Sequence, residues 1–560
     1  HMGYSYWNEA EAAHRRVMMK AAGYSDEDIR KKPHIGVPNS YMAGSPGTAH
    51  LRQVTEAVKE GIWAAGGIPV EFGIPATCGN VANGADEMKY EQVGRDIVAM
   101  SIEFVSRIHN FDAICCVASC DLIIAGCYLA ACRLDIPAMV VTGGSMQAGN
   151  HCGKTVVEAD LDAARFSGAS EEELFDMEEC VCPSFGACPS MGTANTMQML
   201  GEVLNLVMPG TSTIPASDNA RLRAARAAGK YMVQLAKSGR TPKELITKDV
   251  LENAIMFDMA VAGSTNAVLH ILAYAYELGI KITLADFEKY AKEIYCINAV
   301  IPSGPYTVVD FHYAGGVKQV MKQLAGKLHT DAPTMYGNTW GEILDTVKSE
   351  PNKVIHSMED PVAKEPGLKI LRGNISPAGA IVRPTAVYEE VMYIKGAAKV
   401  YECDQDAYKA IMAGEIVAGD ILVIRYEGCK GAPGMKELML SIDALIGLGL
   451  DKKVGLITDA RFSGFNYGAI VGHVSPEAYD GGVIALIENG DEIEMDIAGG
   501  TVNLLVSDEV LAERRKSWVR PPLKQQKGVL NIYAQNCRPA EEGGAMQPWA
   551  LDADYGYHHE

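Results

Sequence analysis

The stretch from Phe111 to Gly126 constrains the fold of this chain more than any other. It reads FDAICCVASCDLIIAG and begins with a run of apolar and small residues from Ala113 to Ala118. Such a run, bounded by polar residues, is typical of a strand that is buried on both faces of a parallel sheet. Cys120 and Asp121 follow it, and then a helix-like segment. Because ligands in open α/β sheets bind beyond the carboxyl ends of the strands, this pair lies where a site is expected.

Strands and helices alternate around this stretch. Further strands are predicted at 34–40, 68–73 and 136–142, and amphipathic helices at 49–65 and 93–108. This order favours an α/β fold with a doubly wound parallel sheet. Helices are also predicted at 155–179, 198–207, 217–237, 286–294 and 315–328, and the segment 251–276 reads as one helix interrupted by a small-residue turn.

The character of the sequence changes near residues 358–371, where proline, glycine and charged residues cluster. This stretch is the best candidate for a linker. Short strands with glycine turns dominate beyond it, at 391–402, 418–425, 453–457, 483–488, 492–497 and 501–506. The sequence therefore predicts an N-terminal α/β domain over residues 1–365 and a C-terminal β-rich domain over residues 366–560.

Charge and hydropathy exclude two classes of partner. The formal net charge of the 560 residues is −20, which disfavours nucleic acid. No run of about 18 apolar residues occurs, so no membrane span is expected. We find no export signal and expect a cytoplasmic protein, in which the 14 cysteines are mostly reduced thiols or metal ligands.

Three cysteines stand out because each lies in a polar loop: Cys78, Cys120 and Cys188. If the strands before the first two are neighbours, their thiols meet at one sheet edge. Three thiolates suit an iron–sulfur cluster with one iron left open, whereas the C-x2-C pairs of structural zinc sites are absent. Two alternatives stay open: a metal loop formed by Cys180, Cys182 and Cys188, and a structural role for Cys120 beside a helix-capping aspartate.

Two glycine-containing loops in the C-terminal half are the other candidates. In RYEGCKGAPGM (425–435), Glu427 is suited to a hard cation, and Lys430 with Gly431 to the carboxylate of a substrate. In TDARFSG (458–464), Ser463 precedes a glycine, as a nucleophile or base would. Ordinary structural turns have the same composition, and no G-x-S-x-G elbow supports a hydrolase triad.

These loops belong to longer segments that closely resemble the dihydroxyacid dehydratase / 6-phosphogluconate dehydratase family. The resemblance runs from about residue 34 to the end, and the segments that carry it are ENAIMFDMAVAGSTNAVLH (252–270), LRGNISPAGAIV (371–382), RYEGCKGAPGM (425–435), TDARFSG (458–464), GHVSPEA (472–478) and SDEVLAERRKSW (507–518). It implies an N-terminal α/β domain, a C-terminal swivelling domain like that of aconitase, and homodimers or dimers of dimers. Members remove water from a 2,3-dihydroxy acid to give a 2-keto acid.

The resemblance also implies roles for individual residues. Cys120 and Cys188 match two cluster ligands. The family's third cysteine, in a Pro-Cys-Asn loop, is replaced here by Gly47, and Cys78 matches the cysteine of a Cys-Asp-Gly motif in the phosphogluconate enzymes. Ser463 matches the serine proposed as the base.

Asp121 and Glu427 match two magnesium ligands, but other ligands of that ion are missing. Gly79 stands at the place of a further aspartate, and Leu122 at the place of a lysine that is carbamylated in several members. Cys429 replaces a proline, and Phe465 stands where a small hydroxyl residue is common. We therefore expect altered chemistry or an altered substrate. We also expect magnesium, if it binds, to be held weakly, so that its removal hardly affects turnover, and Cys429 is a candidate fourth cluster ligand.

The leading interpretation is an iron–sulfur hydro-lyase acting on a small-molecule acid, either a 2,3-dihydroxy acid or a sugar acid. The cluster, [2Fe–2S] or [4Fe–4S], would act as Lewis acid on the leaving hydroxyl and Ser463 as base. The alternatives are a diverged lyase or isomerase of the same family and a non-catalytic cluster protein. Turnover by anaerobically prepared protein, and the identity of its product, separate the three.

Overall fold

The first domain is built on a parallel sheet that contains the central strand of the sequence analysis. The computed structural model describes residues 4–463 and 466–547. Its first four strands are β1 (His34–Asn39), β2 (Ile68–Gly73), β3 (Ala113–Ala118) and β4 (Ala138–Thr142). They pair in the order β2–β1–β3–β4, and all three pairings are parallel. Because β1 lies between β2 and β3, the loops that follow these three strands meet at one edge.

Helices cover both faces of this sheet, as predicted. The residues of β3 alternate between two cores: Ile114 and Cys116 belong to one apolar cluster, and Cys115 and Val117 to the other. The helices of this region are α1 (Ala13–Ala21), α2 (Asp26–Lys31), α3 (Leu51–Ala64), α4 (Tyr90–His109), α5 (Asp121–Leu134), α6 (Glu158–Phe166), α7 (Glu171–Val181), α8 (Thr193–Val203), α9 (Ala220–Ser238), α10 (Pro242–Leu245), α11 (Lys248–Val261), α12 (Asn266–Leu278), α13 (Leu284–Ala291), α14 (Val308–Tyr313), α15 (Gly316–Gln323) and α16 (Trp340–Asp345), and a small hairpin joins β5 (Gly149–His151) to β6 (Lys154–Val156).

The second region is β-rich, also as predicted. Its elements are β7 (Lys369–Leu371), β8 (Gly379–Val382), β9 (Tyr393–Tyr401), α17 (Asp404–Met412), β10 (Ile421–Ile424), β11 (Glu437–Leu438), α18 (Leu440–Gly447), β12 (Gly455–Thr458), β13 (Arg461–Phe462), β14 (Ala469–Ser475), β15 (Glu492–Asp496), β16 (Thr501–Leu504), α19 (Asp508–Ser517) and α20 (Val529–Asn536). Eight strands form one mixed sheet in the order β16–β15–β9–β10–β12–β14–β8–β7, and β11 pairs with β13 in a short parallel sheet.

One predicted strand is wrong. Residues 483–488 do not extend, and Val483–Leu486 form a 3-10 turn that is largely buried. A short apolar run cannot be told from a buried helical turn by its periodicity.

The predicted domain boundary at 365/366 falls between α16 and β7 and stays a prediction. Within the described part of the chain, no helix combines the length and the apolar character needed to cross a membrane.

Helices α3 and α9 pack unusually closely on one face of the first sheet, and a glycine allows it. A Cβ atom added to Gly229 would lie 2.2 Å from the carbonyl oxygen of Val58 on the facing helix. This approach is too close for any side chain, because the neighbouring atom is backbone and cannot rotate away. The packing of this layer therefore depends on the absence of a side chain at Gly229.

We expect Gly229→Ala to destabilise the protein by about 1–3 kcal/mol, the usual cost of overpacking a core. Gly94→Ala is the matched control, because Gly94 also lies within a helix but no atom lies within 4 Å of its added Cβ. That change is expected to be neutral or to stabilise by about 0.5–1 kcal/mol. Thermal unfolding of the three proteins measures both effects, and equal midpoints for the two variants would contradict the packing argument.

Candidate functional site

The three predicted cluster cysteines come together at the carboxyl edge of the first sheet. Cys78 lies in the loop after β2, Cys120 caps the start of α5 directly after β3, and Cys188 lies in the loop before α8. All three line one cavity of about 30 Å³, together with Gly47 from the loop after β1. The structure therefore places three soft ligands around one small space.

Polar contacts hold these cysteines in place. The thiols of Cys78 and Cys120 are hydrogen-bonded, and this contact lowers the pKa of Cys78 to about 7. The side-chain amide of Asn80 donates to the sulfur of Cys188 at 3.5 Å, and that of Asn195 donates to the Cys188 carbonyl at 2.6 Å. Burial raises the pKa of the Cys188 thiol. Buried thiols of this kind become ligands when a metal displaces their protons.

Gly47 explains how Cys78 reaches this cavity. A Cβ atom added to Gly47 would lie 3.2 Å from the sulfur of Cys120. A side chain at position 47 would thus point at the same cavity that Cys78 enters from the neighbouring loop. The position of Cys78 is what a relocated third ligand requires.

A group of carboxylates lies beside the cysteines. Asp121 is the first residue of α5, Glu91 lies in the first turn of α4, and Glu437 begins β11. The guanidinium of Arg461 joins two of them, with Nη2 2.9 Å from Glu91 Oε2 and Nη1 3.2 Å from Glu437 Oε2. Arg461 is completely buried.

Burial and mutual repulsion perturb this group. Burial, followed by the charge of Glu91, raises the pKa of Asp121 to about 7 and that of Glu437 to about 8. Arg461 offsets part of the negative charge that these buried carboxylates carry when they are ionised.

These side chains open into one chamber of about 400 Å³. Ser463, at the end of β13, lines it together with Cys188, Asp121, Glu91 and Glu437, so the predicted base faces the predicted cluster region. Phe465, the other departure expected in this loop, lies outside the described residues.

Helices α6 and α18 close the far end of the chamber. They contribute Glu158, Asp160, Asp162 and Asp443 to the lining, and among the described residues no lysine, arginine or histidine lines the chamber. Both carboxylate oxygens of Glu158 are buried, and this carboxylate is hydrogen-bonded to the thiol of Cys188. Burial, and next the charge of Asp162, raises the pKa of Asp443 to about 8. The same two helices also contribute Ala159, Leu161, Ala163 and Ile446, so this part of the lining is both acidic and apolar.

Three predicted site residues lie elsewhere. Glu427 accepts a hydrogen bond from the Asp404 backbone N–H at 3.2 Å and does not line the chamber. The Lys430 ammonium pairs with Asp480 at 2.8 Å. The backbone N–H of Gly431 donates to Glu477 at 2.9 Å. The structure therefore does not bring Glu427, Lys430 or Gly431 to Ser463 and the cysteines.

The remaining candidate cysteines also lie away from the three-cysteine cavity. Cys429 is buried, and its sulfur lies 3.6 Å from that of Met435. Cys180 donates to the Met177 carbonyl, and Cys182 is exposed. None of them lines the cavity.

Sequence reasoning did not single out Glu91 or Glu437, which line the chamber. Glu437 lies two residues beyond the segment RYEGCKGAPGM, whereas Glu427 within that segment is the predicted ligand. Glu91 lies in an ordinary amphipathic helix and carries no local signal. Only a search for carboxylates near the start of a helix that faces the sheet edge could have found it.

Comparison with known proteins identifies the relatives of this chain. The family description "Dihydroxy-acid/6-phosphogluconate dehydratase N-terminal" matches residues 32–343, and the corresponding C-terminal description matches residues 353–544. A dihydroxy-acid dehydratase of Caldanaerobacter subterraneus subsp. tengcongensis is 43% identical over 543 residues, which cover 96% of this chain and 98% of the relative. Dihydroxy-acid dehydratases of Ignicoccus hospitalis and Pyrococcus abyssi are 42% and 41% identical over 544 residues, with the same coverage.

The geometry generates a prediction about the thiols. Replacing Cys78, Cys120 or Cys188 by Ser removes a ligand that faces the shared cavity, so each variant should lose the visible absorption, iron and acid-labile sulfide of the anaerobically purified protein. Cys182→Ser is the matched control and should retain all three. Full iron and sulfide in Cys78→Ser, with their loss in Cys182→Ser, would reject this ligand set.

Proposed function

Because the chain belongs to the dihydroxy-acid/6-phosphogluconate dehydratase family, we propose that it is an iron–sulfur-dependent dehydratase that converts a hydroxylated acid into a 2-keto acid. The observation that carries this proposal is the convergence of three thiols on one small cavity, next to a chamber that Cys188 lines together with a serine and a group of carboxylates. Relatives that match this chain almost end to end are named dihydroxy-acid dehydratases.

The donor set fits a cluster. Cys78, Cys120 and Cys188 would hold it, and three thiolates leave one of the four terminal positions of a [2Fe–2S] or [4Fe–4S] cluster without a protein ligand. When bound, the cluster would supply Lewis acidity toward the leaving hydroxyl group. Cys188 lines both the cysteine cavity and the chamber, which supports an open face toward the substrate.

The remaining chemistry falls to Ser463. As base, its oxygen takes the proton from C2 of the substrate while the C3 hydroxyl departs as hydroxide. Ser463 then gives this proton to the hydroxide, so that water and an enol form, and the enol becomes the 2-keto acid. An ordinary serine is far too weak an acid for this role at neutral pH and needs a nearby cation. Its position in the same chamber as Cys188, one of the residues that would hold the cluster, supports this role.

Asp162 and Asp443 offer hydrogen-bond acceptors in the part of the chamber that α6 and α18 line, which suits the hydroxyl groups of a sugar acid. Ala159, Leu161, Ala163 and Ile446 line the same part, which suits the alkyl group of a branched 2,3-dihydroxy acid. The proposal therefore includes both classes of substrate.

Two other parts of the proposal rest on the family resemblance. We propose a homodimer or a dimer of dimers, located in the cytoplasm. In support of an assembly, Met100, Phe104 and Ile108 are exposed along one side of α4, with Phe104 67% accessible. A second copy of the chain would cover this apolar side.

Two alternatives to the proposed function can be recognised experimentally. A diverged lyase or isomerase would give a different product, and a non-catalytic cluster protein would show no turnover.

We expect Ser463→Ala to lower turnover by at least about 100-fold, the low end for general acid–base groups. Its iron and sulfide content should equal that of the parent, because Ser463 is not a cluster ligand. Ser376→Ala is the control: Ser376 is also buried but donates to the Leu371 carbonyl outside the chamber. Turnover of Ser463→Ala within a few-fold of the parent would remove Ser463 from the mechanism.

The lining of this part of the chamber predicts that a change at Asp443 affects the two classes of substrate differently. An apolar side chain at this position removes an acceptor for substrate hydroxyl groups and adds apolar surface. Asp443→Leu should lower kcat/KM for the sugar acid and leave or improve that for the branched acid. An equal effect of Asp443→Leu on both substrates would show that this part of the chamber does not select the substrate.

A further inference from the structure

The turn that follows Cys78 carries amide groups that point at a cysteine sulfur. It is a 3-10 turn over Gly79–Ala82, and Cys78 caps its start. The backbone N–H groups of Asn80 and Val81 donate to the Cys78 sulfur, and they add to the effect of the Cys120 thiol in lowering the pKa of Cys78 to about 7. The turn therefore holds the cysteine that precedes it.

The side chain of Asn80 reaches a second cysteine on another loop. Its amide nitrogen Nδ2 donates to the sulfur of Cys188 at 3.5 Å. Asn80 also lines both the three-cysteine cavity and the chamber, as Cys188 does. One residue thus joins the loop after β2 to the loop before α8, at the place where both loops enter the cavity.

Gly79 allows the turn to lie where Asn80 makes these contacts. A Cβ atom added to Gly79 would lie 2.0 Å from Oε1 of Glu91, whose Oε2 is held by the Arg461 guanidinium at 2.9 Å. A side chain at position 79 would displace the turn from α4, because the Glu91 carboxylate is fixed from its other side. The absence of that side chain therefore lets Asn80 keep its position beside Cys188.

The amide of Asn80 offsets unfavourable charges around the Cys188 sulfur. The Glu158 carboxylate contacts the Cys188 thiol, and Asp121 lies close enough for its charge to act on it. Negative groups destabilise a thiolate, whereas an N–H donor stabilises it. Hydrogen bonds to the sulfurs are also among the factors that set the reduction potential of an iron–sulfur cluster.

We propose that Asn80 is a positioning residue for the cluster: its backbone N–H and its side-chain amide bind the sulfurs of Cys78 and Cys188, hold these two ligands at a fixed spacing and stabilise the reduced cluster. This inference rests on the proposed function, which places a cluster on these cysteines. It concerns the retention and the reduction potential of the cluster, and it assigns Asn80 no contact with the reacting atoms of the substrate.

Two replacements of Asn80 test the side-chain hydrogen bond without substrate. Asn80→Leu removes the donor at similar volume, Asn80→Asp puts an acceptor in its place, and both keep the backbone N–H. In anaerobically purified protein, we expect Asn80→Leu to lower the reduction potential of the cluster, because the reduced cluster carries more negative charge, and Asn80→Asp to lower it further. A chelator should remove iron at least about tenfold faster from both variants, the low end for groups that hydrogen-bond metal ligands.

Asn83→Leu and Asn83→Asp are the matched controls. Asn83 follows the same turn and lines the same chamber, but it does not line the three-cysteine cavity. Asn83→Leu should keep the potential and the rate of iron loss of the parent, and Asn83→Asp, which adds the same charge, should lower the potential less than Asn80→Asp. A redox titration followed by visible absorption measures the potentials. Thermal unfolding of the chelated proteins checks that all four variants fold equally well.

Two results would overturn the inference. One is an Asn80→Leu protein that carries the cluster with the same potential and the same rate of iron loss as Asn83→Leu. The other is a potential of Asn80→Asp that equals or exceeds that of the parent. A parent protein that holds no iron and sulfide would reject the proposed function and this inference with it, so the two kinds of failure are distinguishable.

Discussion

The buried ion pairs of Arg461 hold the two halves of the site together. Glu91 comes from α4 of the first region, whereas Glu437 and Arg461 come from the short β11–β13 sheet of the second. The guanidinium contacts both carboxylates, and its Nε–H donates to the Met435 carbonyl at 2.8 Å. Removing one partner of such a buried pair typically costs about 3–5 kcal/mol, because a charge is left without compensation. The position of Ser463, two residues after Arg461, depends on this contact.

Two glycines stand where the family resemblance implies functional side chains. Gly47 stands where a cluster cysteine is expected, and its added Cβ would lie 3.2 Å from the sulfur of Cys120, in the cavity that Cys78 also lines. Gly79 stands where a metal-binding aspartate is expected, and its added Cβ would lie 2.0 Å from Oε1 of Glu91. The space beside each glycine is therefore filled by a polar side chain from another segment.

Helices α6 and α18 bring buried carboxylates and apolar side chains to one part of the chamber lining. A fold supports many substrates, and the residues that line the site decide among them. Asp162 and Asp443 come from α6 and α18, one from each half of the molecule, and they lie close enough for the charge of Asp162 to raise the pKa of Asp443. The contact between these helices thus sets both the size and the polarity of the space that a substrate enters.

The sequence alone determined the elements whose signal is local. The apolar run of β3 predicted a strand buried on both faces, and long motifs pointed to Cys120, Cys188 and Ser463. It pointed to Glu427 and gave no signal for Glu437, two residues beyond the same segment. Only the tertiary structure shows which glutamate lines the chamber: the chain turns at Gly434, whose added Cβ would lie 2.0 Å from the Lys89 carbonyl, and this contact with the start of α4 brings Glu437 to Glu91. A close approach between segments more than 300 residues apart leaves no periodicity to read, since it depends on the packing of two separately folded regions.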